Sequence, residues 1–189
     1  ALKPSLGRVP THPPYIGRVA GPMTRSVADS AALMNVLSRP DARDFMSLPI
    51  HEIDFLNAME GNPEKNLSHL RIGFLPDMKF GLPVHPEVRA AASASSMALE
   101  SAGARVEEMP SFLTAELLDG MCRFFEARSY NDFVQLPPEK QAKVLPFIAE
   151  WCTWRAQKFT GRDVMAAYTS YVTLREVTVK ACQPYDYVI

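Results

Sequence analysis

The chain has 189 residues, of which 47% are hydrophobic and 22% are charged, a composition typical of a folded globular protein. The length suits one domain or part of one, and the composition excludes a disordered or fibrous chain. Its 20 basic and 21 acidic residues, without a run of Lys or Arg, exclude the charged surface of a nucleic-acid-binding protein. No apolar run approaches the roughly 20 residues of a membrane span, so we expect a cytoplasmic protein that binds neither nucleic acid nor membrane.

The first 22 residues contain five prolines, so no helix can persist there. The chain opens at Ala1 without an initiator Met or a leader, and we therefore expect it to be a piece of a longer protein. A helix is predicted after Ser26, whose hydroxyl would cap the amide of Asp29 in a capping box with Asp in the place of Glu. Pro40 ends it. Its predicted apolar face consists of Val27, Ala31, Met34 and Leu37.

Residues 41–68 are predicted to form an irregular surface segment around one short apolar element at 53–56. Pro49 and Gly61-Asn62-Pro63 interrupt this segment. A strand is predicted at 71–75 and another at 104–109. Between them, a helix opens at Pro86 and ends near Ala102, with Gly103 as its cap. This order is typical of a βαβ unit with parallel strands, which predicts an α/β fold.

The chain becomes mainly helical after residue 110. Helices are predicted near 114–130, 138–158 and 160–181, the last one opened by a second capping box between Thr160 and Asp163. The final residues, 185–189, read as a returning strand. We therefore divide the chain into an α/β part at 1–110, a helical part at 111–182 and a strand segment at 183–189.

Aromatic residues are concentrated in the helical part, at spacings that favour core positions over a ligand pocket. They are Phe124, Phe125, Tyr130, Phe133, Phe147, Trp151, Trp154, Phe159, Tyr168 and Tyr171.

The residues that carry chemistry in hydrolases do not form a recognisable set. No Gly-x-Ser-x-Gly elbow occurs, and the clustered serines fall in the small-residue helix, where packing is the simpler interpretation. The histidines lie apart in predicted loops, without metal-ligand spacing. These residues are Ser93, Ser95, Ser96 and Ser101, and His12, His51, His69 and His85. We therefore predict no catalytic, cofactor-binding or metal-ligating residue and no cofactor.

The remaining candidates also favour structural roles. Lys3 precedes a proline in an extended segment and is rejected as a catalytic base. The acid pairs Glu107-Glu108 and Asp41 with Asp44 are interpreted as solvated charges. Three cysteines at equal intervals have dissimilar flanks and are predicted to be reduced thiols rather than a repeat or a metal site. They are Cys122, Cys152 and Cys182.

The most specific pattern is Gly-Pro-Met-Thr-Arg-Ser-Val-Ala-Asp at 21–29. It resembles the stretch that follows the nucleophile-bearing segment in the amidase signature family, and the chain looks most like the general bacterial amidases. Supporting matches in the same order are Lys3-Pro4-Ser5, Gly7-Arg8-Val9, Asp41-Ala42-Arg43-Asp44, Arg71-Ile72-Gly73 and His85-Pro86-Glu87-Val88.

The resemblance implies a mixed sheet layered between helices, incomplete in this chain, and an enzyme that hydrolyses carboxylic amides to an acid and ammonia or an amine. In this family a lysine, a serine beside a cis peptide bond and a nucleophilic serine carry out acyl transfer. No position here matches any of the three. The resemblance therefore implies that a small-molecule amide is the substrate of the intact enzyme and that this chain alone is inactive.

Two other interpretations stay open. One is the amidase-like subunit that releases ammonia from glutamine for transamidation of charged tRNA, although the connection at 11–15 resembles general amidases more closely. The other is a noncatalytic scaffold or interaction module on the amidase framework. In any of these, the strands at 71–75 and 104–109 are expected to lack neighbours, and such open edges favour self-association.

Overall fold

The computed structural model describes residues 1–59 and 66–189, so the predicted Gly61-Asn62-Pro63 turn lies outside the described residues. The chain forms two compact units, residues 1–63 and 64–189. The first is built around one helix, and the second combines a small sheet with a helical layer. Across the described ranges, no helix is both long and apolar enough to cross a membrane.

The first unit contains the helix α1 (Val27–Leu37), which begins where the sequence predicts. The amide of Asp29 donates to the hydroxyl of Ser26 at 3.1 Å. Within the described part of the chain the Asp29 carboxylate does not accept a hydrogen bond from the Ser26 amide, so only one of the two bonds of the predicted capping box forms. The Ser38 hydroxyl donates to the Met34 carbonyl at 2.6 Å and closes the last turn.

The predicted apolar face of α1 is only partly correct. Ala31 and Met34 are buried, whereas Val27 is 72% exposed and Leu37 is also exposed. Val27 is exposed because it faces an open cavity, and Leu37 is the last residue of the helix. The core of this unit is therefore confined to the middle of α1.

The segment at 53–56 is a turn held by hydrogen bonds to a carboxylate rather than an apolar element. The Asp54 carboxylate accepts hydrogen bonds from the amides of Leu56 and Asn57 and from the Asn35 side chain, at 2.8–3.2 Å. The bond from Asn35, with those backbone donors, holds the pKa of Asp54 below its ordinary value. A single turn of 3-10 helix follows at Asn57–Met59.

The second unit opens with the predicted βαβ arrangement. β1 (Arg71–Phe74) leads into α2 (Pro86–Ser101) and then β2 (Arg105–Glu108), and the two strands pair in parallel. Gly103 ends α2 with φ of +99°, a conformation that residues with a Cβ rarely adopt. The α/β class predicted from the sequence is confirmed.

A third strand completes the described sheet. β3 (Tyr187–Val188) pairs in parallel with β1, so the order is β2-β1-β3. Ile72 of β1 lies opposite Val106 on one side and Tyr187 on the other, and it is buried. Burying such a side chain stabilises the fold by about 1.5–3 kcal/mol. The expectation that β1 lacks neighbours is wrong, because the end of the chain returns to pair with it.

The helical layer contains two long helices, α3 (Ala115–Val134) and α6 (Gly161–Cys182). The capping box at Thr160 forms in full: the Thr160 amide donates to the Asp163 carboxylate, and the Asp163 amide donates to the Thr160 hydroxyl. The helix predicted at 138–158 is divided into α4 (Pro138–Gln141), α5 (Pro146–Thr153) and a 3-10 turn at Ala156–Lys158. Pro146 causes the break, because it lacks an amide donor and places Leu145 in an extended conformation.

A cluster of opposite charges links α3 to the segment that follows α5. Arg155 donates to the Glu126 carboxylate and, at 2.9 Å, to Asp119, which also accepts a contact from Arg123 at 2.7 Å. Glu126 is only 4% exposed, so its charge requires this partner. Burial raises the pKa of Asp119, but the hydrogen bond from Arg155 and the charges of Arg123 and Arg155 outweigh it and lower the pKa.

Gly120 of α3 lies close to Ser170 of α6. A Cβ at this position would lie 2.5 Å from the Ser170 hydroxyl oxygen, closer than packed atoms can stand. We expect Gly120→Ala to lower the free energy of unfolding by about 1–3 kcal/mol, because the clash exceeds the gain in helix propensity. Urea denaturation followed by circular dichroism measures the change.

Gly161→Ala is the matched control for this substitution. A Cβ at Gly161, the first residue of α6, meets nothing within 4 Å. This variant should keep the wild-type midpoint, and an equal loss in both variants would contradict close packing at Gly120.

The lowered pKa of Asp119 predicts a specific dependence of stability on pH. A carboxyl group whose pKa is depressed by folding stabilises the protein above its unfolded pKa of about 4, and this contribution is lost as the pH falls through the lowered value. Asp119→Asn should therefore be less stable than wild type at pH 7 and should lose less stability on acidification to about pH 2. Glu139→Gln removes an exposed carboxylate from α4 and is the control. Parallel profiles of stability against pH for wild type and Asp119→Asn would contradict the lowered pKa of Asp119.

Candidate functional site

The family-like nonapeptide at 21–29 borders a cavity of about 420 Å³ in the first unit. Most of the cavity wall is apolar and comes from both ends of the unit. The apolar lining consists of Leu2, Val27, Ala31, Met34, Phe55 and Met59. A cavity of this size with an apolar wall and a few polar groups at one side is typical of a small-molecule site.

The polar side of the cavity is formed at the start of α1. The Thr24 hydroxyl donates to the Ser26 carbonyl at 2.8 Å, so its contact of 2.6 Å with Ser30 assigns the Ser30 hydroxyl as the donor. Arg25 also lines the cavity, is exposed, and forms no ion pair with any carboxylate in the described part of the chain. The cavity can therefore offer the guanidinium donors and the positive charge of Arg25 to a ligand.

No side chain that could act as a base and activate a nucleophile lines this cavity in the described ranges. Its described lining contains no histidine, lysine or carboxylate, and both hydroxyl protons of Thr24 and Ser30 are already directed to protein oxygens. Acyl transfer needs a hydroxyl beside a base that removes its proton. The cavity is therefore suited to binding rather than to chemistry.

A serine and a histidine are in contact elsewhere in the first unit, but the direction of their hydrogen bond is unsuitable for catalysis. His51 Nε2 lies 3.2 Å from the Ser38 hydroxyl, and His51 Nδ1 accepts the amide of Ile53 at 3.2 Å. Because Nδ1 accepts, the neutral ring carries its proton on Nε2 and donates to Ser38, which donates onward to Met34. In this arrangement His51 cannot take a proton from Ser38, and the pair anchors the end of α1.

The clustered serines lie in α2, as the sequence predicts, and bond to their own helix. Ser95 and Ser101 donate to carbonyls four residues earlier, and Ser96 donates to the Ser93 carbonyl, at 2.8–3.0 Å. Hydroxyl groups that donate to carbonyls of their own helix do not have that proton available for a substrate.

The other histidines and Lys3 are on the surface. His85 caps α2 by accepting the Glu87 amide, while His12, His69 and Lys3 are exposed. In the described ranges, no three potential metal ligands come together. These residues therefore form no common site.

The prediction that the acid pairs are solvated charges is wrong for three of the four, because Asp41 pairs with Arg43 at 2.7 Å and the other two also have protein partners. Asp44 is buried and accepts the amides of Thr11 and Met46 at 2.8 and 2.9 Å, which ties two loops together. Glu107 contacts Arg71 at 2.9 Å and Arg105 at 2.6 Å. Thr11 and Arg71 are more than 30 residues from their partners, so no local pattern could have indicated them, whereas Arg105 lies two residues before Glu107 on β2.

The cysteines are free thiols, as predicted, and burial raises the pKa of the Cys152 thiol. The core interpretation of the aromatics fits three half-buried rings between α3 and α6, which pack together with a fourth, Tyr168, that is 42% exposed. The four residues are Phe124, Phe125, Tyr168 and Tyr171. It is wrong for Phe147, Trp151 and Trp154, which are exposed on α5. Sequence reasoning also missed the Arg155 cluster, because Glu126 and Arg155 are far apart in the chain.

Known proteins with similar sequences include glutamyl-tRNA(Gln) amidotransferase A subunits and an acylamidase. The chain is 35% identical over 116 residues to a glutamyl-tRNA(Gln) amidotransferase subunit of Macrococcus caseolyticus (strain JCSC5402), covering 57% of this chain and 22% of the relative. It is 32% identical over 111 residues to an acylamidase of Rhodococcus erythropolis, with the same coverages. The chain thus spans well under half of these relatives.

Solved structures share the fold over nearly the whole chain. A bacterial aryl acylamidase of the amidase signature family superimposes with a TM-score of 0.79 at 22% identity, covering 98% of this chain and 40% of its own. A 6-aminohexanoate cyclic dimer hydrolase gives a TM-score of 0.66 at 25% identity, with coverages of 96% and 39%. The family model described as Amidase matches residues 2–171. On this match, together with the shared fold, the chain belongs to the amidase signature family.

Proposed function

We propose that this chain is part of an amidase that hydrolyses carboxylic amides to an acid and ammonia or an amine. The observation that carries the proposal is the cavity at the family nonapeptide, with an apolar wall and the unpaired Arg25 at its polar side. The similarity to an acylamidase in sequence and to an aryl acylamidase in fold supports it. Such a cavity suits the apolar and polar ends of an amide substrate.

The mechanism we propose is serine-type acyl transfer. A serine attacks the amide carbonyl, its proton passes through a bridging serine and a lysine to the leaving amine, and water then releases the acid. The described cavity lining has no side-chain base, so the reacting lysine and serines would belong to a part of the enzyme outside these 189 residues. This chain would contribute the binding wall, the parallel sheet and the helical layer.

A second candidate is an amidotransferase subunit that takes ammonia from glutamine. The identity of 35% to a glutamyl-tRNA(Gln) amidotransferase subunit favours it. Both candidates break an amide bond and differ in the amide that they accept, whereas a noncatalytic scaffold would break none.

Amide cleavage assays on the isolated chain and on the longer enzyme that contains it separate these functions. We expect no release of amine from aliphatic or aromatic amides by the isolated chain, since no side chain that lines its cavity is a base, and turnover of at least one amide by the longer enzyme. Preferred cleavage of glutamine would favour the amidotransferase interpretation. Turnover by the isolated chain would contradict the placement of the reacting groups, and an inactive longer enzyme would favour the scaffold.

We also propose that the isolated chain self-associates through the outer edge of β2. In the described sheet β2 is an edge strand, and its Arg105 and Met109 amides donate to the β1 side, so the Glu108 amide faces outward. Glu108→Pro should shift the protein toward monomer in light scattering, because proline removes this donor. Glu108→Gln keeps the donor and should behave as wild type; a monomeric wild type would contradict the proposal.

A further inference from the structure

One face of α5 presents aromatic side chains away from the protein. Phe147, Glu150, Trp151 and Trp154 follow the i, i+3, i+4, i+7 spacing of a single helix face. Phe147 is 64% exposed, Trp151 is 44% exposed and Trp154 is 57% exposed. Cys152 is buried, so α5 is anchored by a different side and holds this face outward.

These four residues line a groove of about 230 Å³. Glu150 is the one charged residue in its lining, and its carboxylate forms no hydrogen bond or ion pair with any other residue of the described ranges. Three aromatic rings and one unpaired carboxylate thus share a single concave surface. Exposed apolar surface of this kind is unusual in proteins unless a ligand or partner covers it.

The neighbouring Arg155 demonstrates the chemistry that one of these rings supports. Its guanidinium lies 5.3 Å from the Trp154 ring centroid, within the range of a cation–π contact. Arg155 is itself held by Glu126 and Asp119, so it does not neutralise Glu150. The groove therefore keeps a net negative charge next to ring faces that attract cations.

We infer that this groove binds a small organic ammonium ion, with the ammonium group beside Glu150 and the apolar part against Phe147 and Trp151. A neutral apolar ligand would cover the Glu150 carboxylate without giving it a partner, which is unfavourable, and an anion would be repelled. An ammonium ion satisfies the carboxylate and gains from the ring faces at the same time. The inference does not depend on amide hydrolysis by this chain.

Tryptophan fluorescence tests the inference directly, because the chain has only two tryptophans and both line the groove. Phenethylammonium chloride should cause a saturable change in emission that weakens as NaCl is raised, since the contact with Glu150 is electrostatic. The neutral analogue 2-phenylethanol has the same ring and chain and should cause a much smaller change at equal concentration. An equal response to both compounds, or no saturable response to the cation, would overturn the inference.

Glu150→Gln removes the charge while keeping both tryptophans. We expect it to weaken phenethylammonium binding about two- to fivefold, the range of an exposed ion pair. Glu139→Gln removes an exposed carboxylate outside the groove and should leave the affinity unchanged. Circular dichroism confirms that each variant is folded, and a wild-type affinity in Glu150→Gln would overturn the role of the carboxylate whatever the other results.

Discussion

The helical part of this protein depends on one guanidinium group. Arg155 satisfies the buried carboxylate of Glu126, bonds Asp119 on the same helix, and lies over the Trp154 ring. A carboxylate as buried as that of Glu126 is tolerated only when it is paired, and removing its partner would cost about 3–5 kcal/mol. Because Arg155 directly follows α5, the same contacts fix the end of that helix against α3 and so determine which face α5 turns outward.

The family nonapeptide both begins a helix and lines the cavity. Its serine starts α1, while Thr24 and Arg25 form the polar side of the cavity, so the residues that make the family recognisable also shape the site. The described cavity lining nevertheless has no side-chain base, and the nearby pair of Ser38 and His51 has its hydrogen bonds directed the wrong way for proton removal. The cavity therefore offers a binding surface without a side-chain base for bond breaking.

The two ligand surfaces differ in what they offer. The cavity of the first unit combines an apolar wall with the guanidinium donors and positive charge of Arg25, whereas the α5 groove combines aromatic rings with a negative charge. The two surfaces favour ligands of opposite charge, because a ligand that covers a charged side chain without pairing with it is unfavourable. A carboxylate or carbonyl oxygen suits the first surface, and an ammonium group suits the second.

Local signals in the sequence determined where most elements begin and end. Ser26 and Thr160 start helices because a hydroxyl satisfies free amides, Gly103 ends α2 because it tolerates a positive φ, and the spacing of strand, helix and strand dictates parallel pairing. Pro146 is also a local signal for a break, since proline does not fit inside a helix. The prediction of one helix across it is therefore wrong. The family itself was determined by the nonapeptide.

Only the tertiary structure decided which residues meet. β1 has a second neighbour because residues more than a hundred positions later return to it, and Glu126 finds Arg155 across 29 residues. The outward turn of Trp151 and Trp154 likewise follows from the anchoring of α5, because their spacing fits a buried face equally well. Helix and strand signals act over a few residues, whereas burial and pairing of charges depend on how distant segments pack together.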